Sequence, residues 1–206
     1  MPPAESIARP YRAALGLCVP IVRGWGRLEI NGLEHLPSSG PVLLAANHDS
    51  YWDPVVIGIS GLGRRQIRAL AKASLWKVRG LAPVLEGMGQ IPIDRGTGDA
   101  GALDRAEREL RAGACIGIFP EGTRTLGRTL RARSGFGRLA DLVPEAQLAC
   151  CAVQGTTDLP KFPKRPHIRV EFFTPAGGGR REGESAAELS VRLLAEIRSR
   201  VPIPGA

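Results

Sequence analysis

The sequence has few of the residues that cross-link a chain or hold a structural metal. Its 206 residues include four cysteines and three histidines. No two cysteines form a CxxC pair, and Cys150 and Cys151 are adjacent within an apolar run. This pattern argues against a disulfide framework, favours a reducing compartment, and offers no zinc-ligand spacing. We therefore expect no structural metal.

Long apolar runs are also lacking, since none approaches the ~20 residues that a membrane-spanning helix needs. The first residues lack the charged-then-apolar order of a signal peptide. The apolar segment 11–22 is short, is interrupted by Pro20 and has arginines on both sides. It fits either an amphipathic helix that covers the core or an interfacial helix whose arginines meet anionic head groups. We expect residues 1–30 to form a helical, membrane-associating segment and residues 31–206 to form the main domain.

Acidic residues are fewer than basic ones, with 20 Asp and Glu against 28 Lys and Arg and a net charge of +8. Such an excess attracts polyanions, which include nucleic acid, anionic lipid and phosphorylated ligands. Aromatic residues make up only 5% of the chain and no nucleic-acid-binding motif is visible. Nucleic acid is therefore not an expected partner.

Short apolar segments alternate with helical patterns along the chain. The predicted strands are residues 42–46, 67–71, 89–93, 115–119, 148–153 and 168–173. The predicted helices are residues 54–61, 75–80, 99–112, 135–142 and 185–200. This alternation predicts a single α/β domain whose mixed, mostly parallel sheet is covered by helices, with a short amphipathic helix at the N-terminus.

The first segment with chemical potential follows the predicted strand 42–46. On a regular helix, the five-residue offset between His48 and Asp53 would turn the two side chains ~140° apart. Asp53 precedes Pro54, however, which disfavours the helical conformation at that residue. We therefore predict a loop that folds back, so that the carboxylate reaches the imidazole, fixes its tautomer and raises its basicity. The pair is then either a general base that lacks a protein nucleophile, or a loop histidine with a capping aspartate.

Two further strand ends carry possible anion-binding groups. Arg95 follows the strand 89–93 and offers the donor fork that suits phosphate oxygens, although it is equally interpretable as a surface residue. In the segment 116–125, Gly122 permits close backbone approach, and Thr123 and Arg124 can converge with backbone N–H groups on an anion. An ordinary turn at the end of a strand would explain the same residues.

Three segments, taken in order, resemble the successive blocks of a known family: NHDSYWD, GQIPIDRG and FPEGTRT. The family is that of the 1-acylglycerol-3-phosphate acyltransferases, or lysophosphatidic acid acyltransferases. Its first block, His-x4-Asp, is matched by His48 and Asp53, and its second by Arg95 after an apolar strand. Its third block is matched without a change by residues 119–124. Basic residues and a glycine often follow the third block, and residues 131–135 (RARSG) stand there.

The resemblance implies transfer of a fatty acyl group from acyl-CoA or acyl carrier protein to the free hydroxyl of 1-acylglycerol-3-phosphate. The product would be phosphatidic acid, made for phospholipid biosynthesis by an enzyme in peripheral contact with anionic lipid at the cytoplasmic face of the cell membrane. His48, oriented by Asp53, would remove the hydroxyl proton, and no cofactor or metal would be needed beyond the thioester co-substrate. The residues implied to bind or shape the substrate site are Arg95, Glu121, Gly122, Thr123 and Arg124. Residues 31–206 would be the acyltransferase domain.

Several alternatives stay open at this point. Another lysophospholipid or glycolipid could be the acceptor, or the chain could be a noncatalytic module that binds anionic lipid. A metal phosphohydrolase could use His48, Asp49 and Asp53, although further ligands are not evident. Ser50 lies close to the pair, but no Gly-x-Ser-x-Gly elbow marks it as a nucleophile.

Overall fold

The computed structural model describes residues 6–94 and 99–205. The strands in these residues are β1 (Arg27–Asn31), β2 (Val42–Ala46), β3 (Ile67–Lys72), β4 (Ile91–Ile93), β5 (Cys115–Ile118), β6 (Gln147–Gln154) and β7 (His167–Phe173). The α-helices are α1 (Arg9–Val19), α2 (Asp53–Gly61), α3 (Leu81–Gly87), α4 (Ala100–Arg111), α5 (Gly135–Leu142) and α6 (Ala186–Arg200). Shorter helical segments are the π-helical Pro20–Trp25 and the 3-10 turns Leu33–His35, Ala73–Lys77 and Thr156–Asp158.

The strands form one mixed sheet in the order β1-β7-β6-β2-β5-β3-β4. The pair β6 and β7 is antiparallel, and the other neighbouring pairs are parallel. The predicted α/β domain with a mostly parallel sheet is confirmed.

The central strand β2 explains why helices cover both faces of the sheet. All five of its residues are buried, as expected of an apolar strand in a parallel sheet. Successive side chains point to opposite faces, so Leu43 and Leu44 enter different cores. Leu43 packs in a core that includes side chains of α4, α5 and α6. Leu44 packs in a second core that includes side chains of α1 and α2.

Helices α4 and α6 begin where their sequences predict. The Asp99 carboxylate accepts the N–H of Ala102 at 3.0 Å and caps α4. Ser185 and Glu188 form a reciprocal capping box at the start of α6. The apolar face of α6 includes Ile197 and is buried in the core, so the last turn of this helix is firmly placed.

Two predictions about secondary structure are wrong. Residues 75–80 do not form an α-helix: a 3-10 turn ends at Lys77, and Gly80, with φ +79°, precedes α3. A glycine in this left-handed conformation ends one helical segment before the next begins. The segment 1–30 was also predicted to be helical, but its residues 27–30 belong to β1, which lies at an edge of the sheet. Its half-exposed residues include Arg27 and Glu29, so it lacks the apolar run that marks an interior strand.

The N-terminal helix begins at Arg9, and helical structure continues beyond Pro20. The α-helix changes there to a π-helical segment, which accommodates a residue that has no N–H to donate. Tyr11 and Leu15 are buried in the core, whereas Leu17 is 81% exposed. No helix in residues 6–94 and 99–205 is both long and apolar enough to cross a membrane.

The adjacent cysteines belong to the core. Cys150 and Cys151 are buried free thiols on β6, and their side chains enter opposite cores. Burial raises the pKa of Cys150 to about 12 and that of Cys151 well above its usual value. Neither thiol therefore ionises near neutral pH.

Candidate active site

The sheet topology brings the first and third sequence blocks together. Strands β2 and β5 are parallel neighbours, with Ala45 paired to Ile118. Their following loops therefore leave the same edge of the sheet, which is where α/β folds place functional loops. Strand β6 is parallel to β2 on its other side and ends at this edge too, which brings Thr156 beside the first block.

The loop after β2 folds back as predicted. His48 Nδ1 lies 3.0 Å from Asp53 Oδ2, and both side chains are buried. Asp53 Oδ2 also accepts the backbone N–H groups of Asp49 at 2.6 Å and Ser50 at 2.7 Å. Its other oxygen accepts the Thr156 hydroxyl at 2.5 Å. These donors hold the carboxylate in place. Asp53 thus organises the loop before α2, and its role is more than that of a helix cap.

This geometry sets the tautomer of His48. Because Asp53 Oδ2 is an acceptor, the neutral imidazole carries its proton on Nδ1 and presents the Nε2 lone pair. The imidazole also stacks on the Phe119 ring, with centroids 4.2 Å apart and planes inclined by 15°. A carboxylate at one ring nitrogen and an aromatic ring against one face hold the histidine in the orientation that a general base requires.

A cavity of about 400 Å³ lies beside the third block. Part of its wall is apolar and includes Leu70, Ile118, Phe119 and Phe136. Phe119 also stacks on the His48 imidazole, so one aromatic ring contacts both the histidine and this largely apolar space. The cavity also has charged lining residues, including Arg133, which no single motif had marked.

Gly122 explains how Arg133 reaches the cavity. Gly122 has φ +70°, and a side chain at this position would lie 2.5 Å from Arg133 Cδ and Nε. The Arg133 N–H also donates to the Pro120 carbonyl at 2.8 Å. The glycine thus permits both the turn and the close packing of Arg133. The only sequence signal for this residue was its place in the basic segment after the third block.

The other predicted substrate-binding residues lie in different surroundings. The Arg124 guanidinium lies 3.5 Å from the centroid of the Tyr51 ring, and Tyr51 is 74% exposed. The Thr123 side chain is exposed. Arg95 lies outside the described residues. The structure therefore shows Arg124 on an exposed aromatic ring beside the loop, and Arg133 rather than Arg124 among the residues that line the cavity.

Glu121 faces the protein interior. Its Oε2 accepts the His48 N–H at 2.6 Å, and its Oε1 accepts Arg198 Nε at 3.0 Å and Nη2 at 2.5 Å. Burial raises the pKa of Glu121, and the Arg198 guanidinium opposes that rise. Both oxygens accept protein donors, and one of these donors is the backbone of the His48 loop.

Arg198 also binds Asp49, with Nη1 to Oδ2 at 2.9 Å and Nη2 to Oδ1 at 2.8 Å. Burial favours a higher pKa for Asp49, but hydrogen bonds from Arg198 and Thr125 hold this pKa below its usual value. Sequence analysis missed Arg198 altogether. It lies 149 residues from Asp49 in the chain, and no local pattern connects the two.

A family model described as Acyltransferase matches residues 27–160, which is more than half of the chain. The chain belongs to this acyltransferase family. It is 28% identical over 150 residues to the 1-acyl-sn-glycerol-3-phosphate acyltransferase of Bacillus subtilis, covering 73% of this chain and 74% of that protein. It is 34% identical over 114 residues to the lyso-ornithine lipid O-acyltransferase of Pseudomonas aeruginosa, covering 53% of this chain but only 40% of the relative.

A solved structure supports the fold of this acyltransferase. The crystal structure of the 1-acyl-sn-glycerophosphate acyltransferase from Thermotoga maritima superposes with a TM-score of 0.69. The match covers 95% of this chain and 82% of that chain at 18% sequence identity. At this identity the likeness supports the fold alone.

The site of this acyltransferase is suited to general-base chemistry on a bound hydroxyl. Ser50 Oγ donates to the Thr156 carbonyl at 3.2 Å and accepts the Trp52 N–H at 3.2 Å, so its contacts are with backbone and not with His48. Across residues 6–94 and 99–205, no group of three or more His, Cys, Asp or Glu side chains is arranged to hold a metal ion. The His48–Asp53 pair, stacked on Phe119, is the arrangement that can remove a proton.

Proposed function

We propose that this acyltransferase moves a fatty acyl group from acyl-CoA or acyl carrier protein to the free hydroxyl of 1-acylglycerol-3-phosphate. The products are phosphatidic acid and the free thiol of the donor. The observation that carries the proposal is the 3.0 Å contact between His48 Nδ1 and Asp53 Oδ2, with the imidazole stacked on a phenylalanine that lines the cavity. The pair supplies the base, and the apolar part of the wall suits an acyl chain.

The proposed reaction is direct transfer between the two substrates. His48 Nε2 takes the proton from the acceptor hydroxyl as its oxygen attacks the thioester carbonyl carbon. The new C–O ester bond forms, the C–S bond breaks, and the proton passes from Nε2 to the departing thiolate. The Asp53 carboxylate stabilises the imidazolium in between, and general-base assistance of this kind is worth ~10²–10⁴-fold in rate. The backbone contacts of Ser50 favour this route over an acyl-enzyme intermediate.

We propose that Arg133, in the wall of the cavity, binds the acceptor phosphate. Arg133 lines the cavity beside the apolar wall, and its donor fork suits phosphate oxygens. Arg95 and Arg124 remain candidates through the resemblance of their blocks. Arg124 reaches an incoming head group most readily from the exposed side, where it lies over Tyr51.

A second candidate acceptor is a lyso-ornithine lipid. The lyso-ornithine lipid O-acyltransferase of Pseudomonas aeruginosa is 34% identical over the matched region. An amino-acid head group has no phosphate for Arg133, which is why we favour 1-acylglycerol-3-phosphate.

We also propose peripheral contact with anionic lipid on the cytoplasmic side of the membrane, made by the N-terminal segment. Leu17 is 81% exposed and Ile21 is 42% exposed, and the side chains of Arg12 and Arg23 are exposed nearby in the chain. An apolar surface beside arginines suits the boundary between head groups and acyl chains. Such contact would give the enzyme access to an acceptor that resides in the bilayer.

The test is thiol release from palmitoyl-CoA by the purified chain with lysophosphatidic acid, with a lyso-ornithine lipid, and without acceptor. We expect release that depends on lysophosphatidic acid and yields phosphatidic acid by mass spectrometry. Release only with the lyso-ornithine lipid would replace the acceptor. Vesicle binding without turnover of either acceptor, with acyl-CoA or acyl carrier protein as donor, would favour a noncatalytic lipid-binding module.

A further inference from the structure

Arg198 lies in the last turn of α6, and its side chain is only 14% exposed. The preceding residue, Ile197, is fully buried in the core. The capping box at Ser185 fixes the other end of the helix. The guanidinium is therefore placed by a rigid element that belongs to neither of the loops carrying the sequence blocks.

This guanidinium joins the first and third blocks from the interior side. Nε and Nη2 donate to Glu121 Oε1 at 3.0 and 2.5 Å, while Nη1 and Nη2 donate to the two oxygens of Asp49 at 2.9 and 2.8 Å. Asp49 and Glu121 are almost completely buried, and each raises the cost of ionising the other. A planar fork between them satisfies both carboxylates in a way that a point charge does not.

The same two carboxylates lead directly to His48. Glu121 Oε2 accepts the His48 N–H at 2.6 Å. Asp49 Oδ1 accepts the Thr125 hydroxyl at 2.5 Å, and the Thr125 N–H donates to the His48 carbonyl at 2.9 Å. Both backbone polar groups of His48 are thus bonded to residues that belong to the network around Arg198.

A second connection leads to the partner of the histidine. The Asp49 N–H donates to Asp53 Oδ2, the same oxygen that binds His48 Nδ1. Movement of Asp49 would therefore shift the carboxylate as well as the imidazole. Because His48 and Asp53 must hold their geometry to within a fraction of an ångström, the support of this loop matters to the rate.

We infer that Arg198 is a positioning residue for the His48–Asp53 pair, which clamps the first and third blocks together from α6 without touching the imidazole. This inference rests on the proposed function for its effect on turnover. Since Arg198 acts through His48, its loss should lower kcat and leave the KM values of both substrates nearly unchanged. A displacement of about 1 Å at a reacting group is enough to lower a rate by ~10²-fold.

The test compares Arg198→Met and Arg198→Lys with Arg192→Met. Arg192 lies on the same helix and pairs with Glu184 and Glu196, so it is a matched control for the loss of a buried α6 charge. We expect Arg198→Met to lower kcat by ~10²-fold with KM changes below about twofold. Arg198→Lys should recover part of the loss, and Arg192→Met should keep kcat within about threefold. Rates are normalised to folded protein measured by circular dichroism.

Amide hydrogen exchange of the peptide spanning residues 47–53 gives a readout that does not depend on turnover. We expect faster exchange in Arg198→Met than in Arg192→Met, since the His48 N–H loses a fixed acceptor. If the wild type releases no thiol with any acceptor, the proposed function fails, while exchange still decides the role of Arg198. Unchanged exchange in both Arg198 variants would overturn the inference, as would a kcat loss that Arg192→Met reproduces. If Arg198→Met does not fold, Arg198→Lys decides by the same two measurements.

Discussion

The two sides of the His48 loop differ in almost every physical respect. On the interior side, Asp49, Glu121 and Arg198 are buried and every charge has a partner of opposite sign. On the outer side, Tyr51 is exposed, and the Arg124 guanidinium that lies over its ring is partly exposed as well. Buried pairs of this kind hold geometry, whereas exposed cations on an aromatic ring contribute little to stability and are available to an incoming anion. We therefore expect changes on the interior side to lower kcat, and changes on the outer side to raise the KM of the acceptor.

The sharpest interior change is Asp53→Asn, which replaces the carboxylate that orients His48 with a neutral amide of the same size and turns one acceptor oxygen into a donor. We expect kcat to fall by ~10²–10⁴-fold, because the amide no longer secures the tautomer with Nε2 unprotonated. Steady-state thiol release measures this, with Asp158→Asn as a control at a partly exposed carboxylate that pairs with lysines. A kcat within threefold of the wild type would remove Asp53 from the mechanism.

The arginine that lines the cavity, Arg133, and the arginine over Tyr51, Arg124, allow the expected effects on acceptor binding to be compared. Arg133→Met should raise the KM of lysophosphatidic acid by ~10-fold or more, since a charged hydrogen bond is worth roughly 1.5–3 kcal/mol. Arg124→Met should raise it by only about twofold to fivefold, because a charge pair made at a solvent-accessible site is worth roughly 0.2–1 kcal/mol.

Both variants should leave the KM of palmitoyl-CoA nearly unchanged. Initial rates measured over a matrix of the two substrate concentrations give the KM of each substrate for each variant. An equal loss for donor and acceptor in either variant would indicate a collapsed site instead of a lost phosphate contact.

The effect expected furthest from the chemistry is at Arg12 on α1, and it concerns membrane binding, not turnover. Arg12→Gln should weaken sedimentation with phosphatidylglycerol vesicles by about fivefold, since a basic residue near an anionic surface contributes roughly 1 kcal/mol. Arg181→Gln, an exposed arginine in the loop before α6, serves as the control. Equal binding by both variants would count against a membrane-facing N-terminal segment.

The predictability of the site follows from the range of the interactions involved. The contact between His48 and Asp53 could be predicted because the two residues are only five apart, although α2 begins at Asp53 itself and Pro54 does not keep that residue out of the helix. The start of α4 was equally predictable, since Asp99 caps the helix by accepting the N–H of Ala102, only three residues away. Arg198 could not be found in this way, because its hydrogen-bond partners lie 77 and 149 residues away in the chain.

The errors in the fold have the same origin. The edge strand β1 lacks an apolar run because its residues are only half buried, and its pairing with β7 is set by tertiary structure. The predicted helix 75–80 is instead a 3-10 turn that ends at Lys77, and Gly80 takes a left-handed conformation before α3, which the surrounding fold selects. Local signals thus predicted the contact at the candidate site, and the long-range packing around it required the structure.

The most direct test of the account is His48→Ala, assayed by thiol release from palmitoyl-CoA with lysophosphatidic acid. His35→Ala is the matched control, because His35 lies outside the site and its side chain is about half exposed. We predict that His48→Ala lowers kcat by ~10²–10⁴-fold with the fold intact by circular dichroism, while His35→Ala keeps the wild-type rate. A folded His48→Ala protein that turned over at the wild-type rate would contradict the assignment of His48 as the general base.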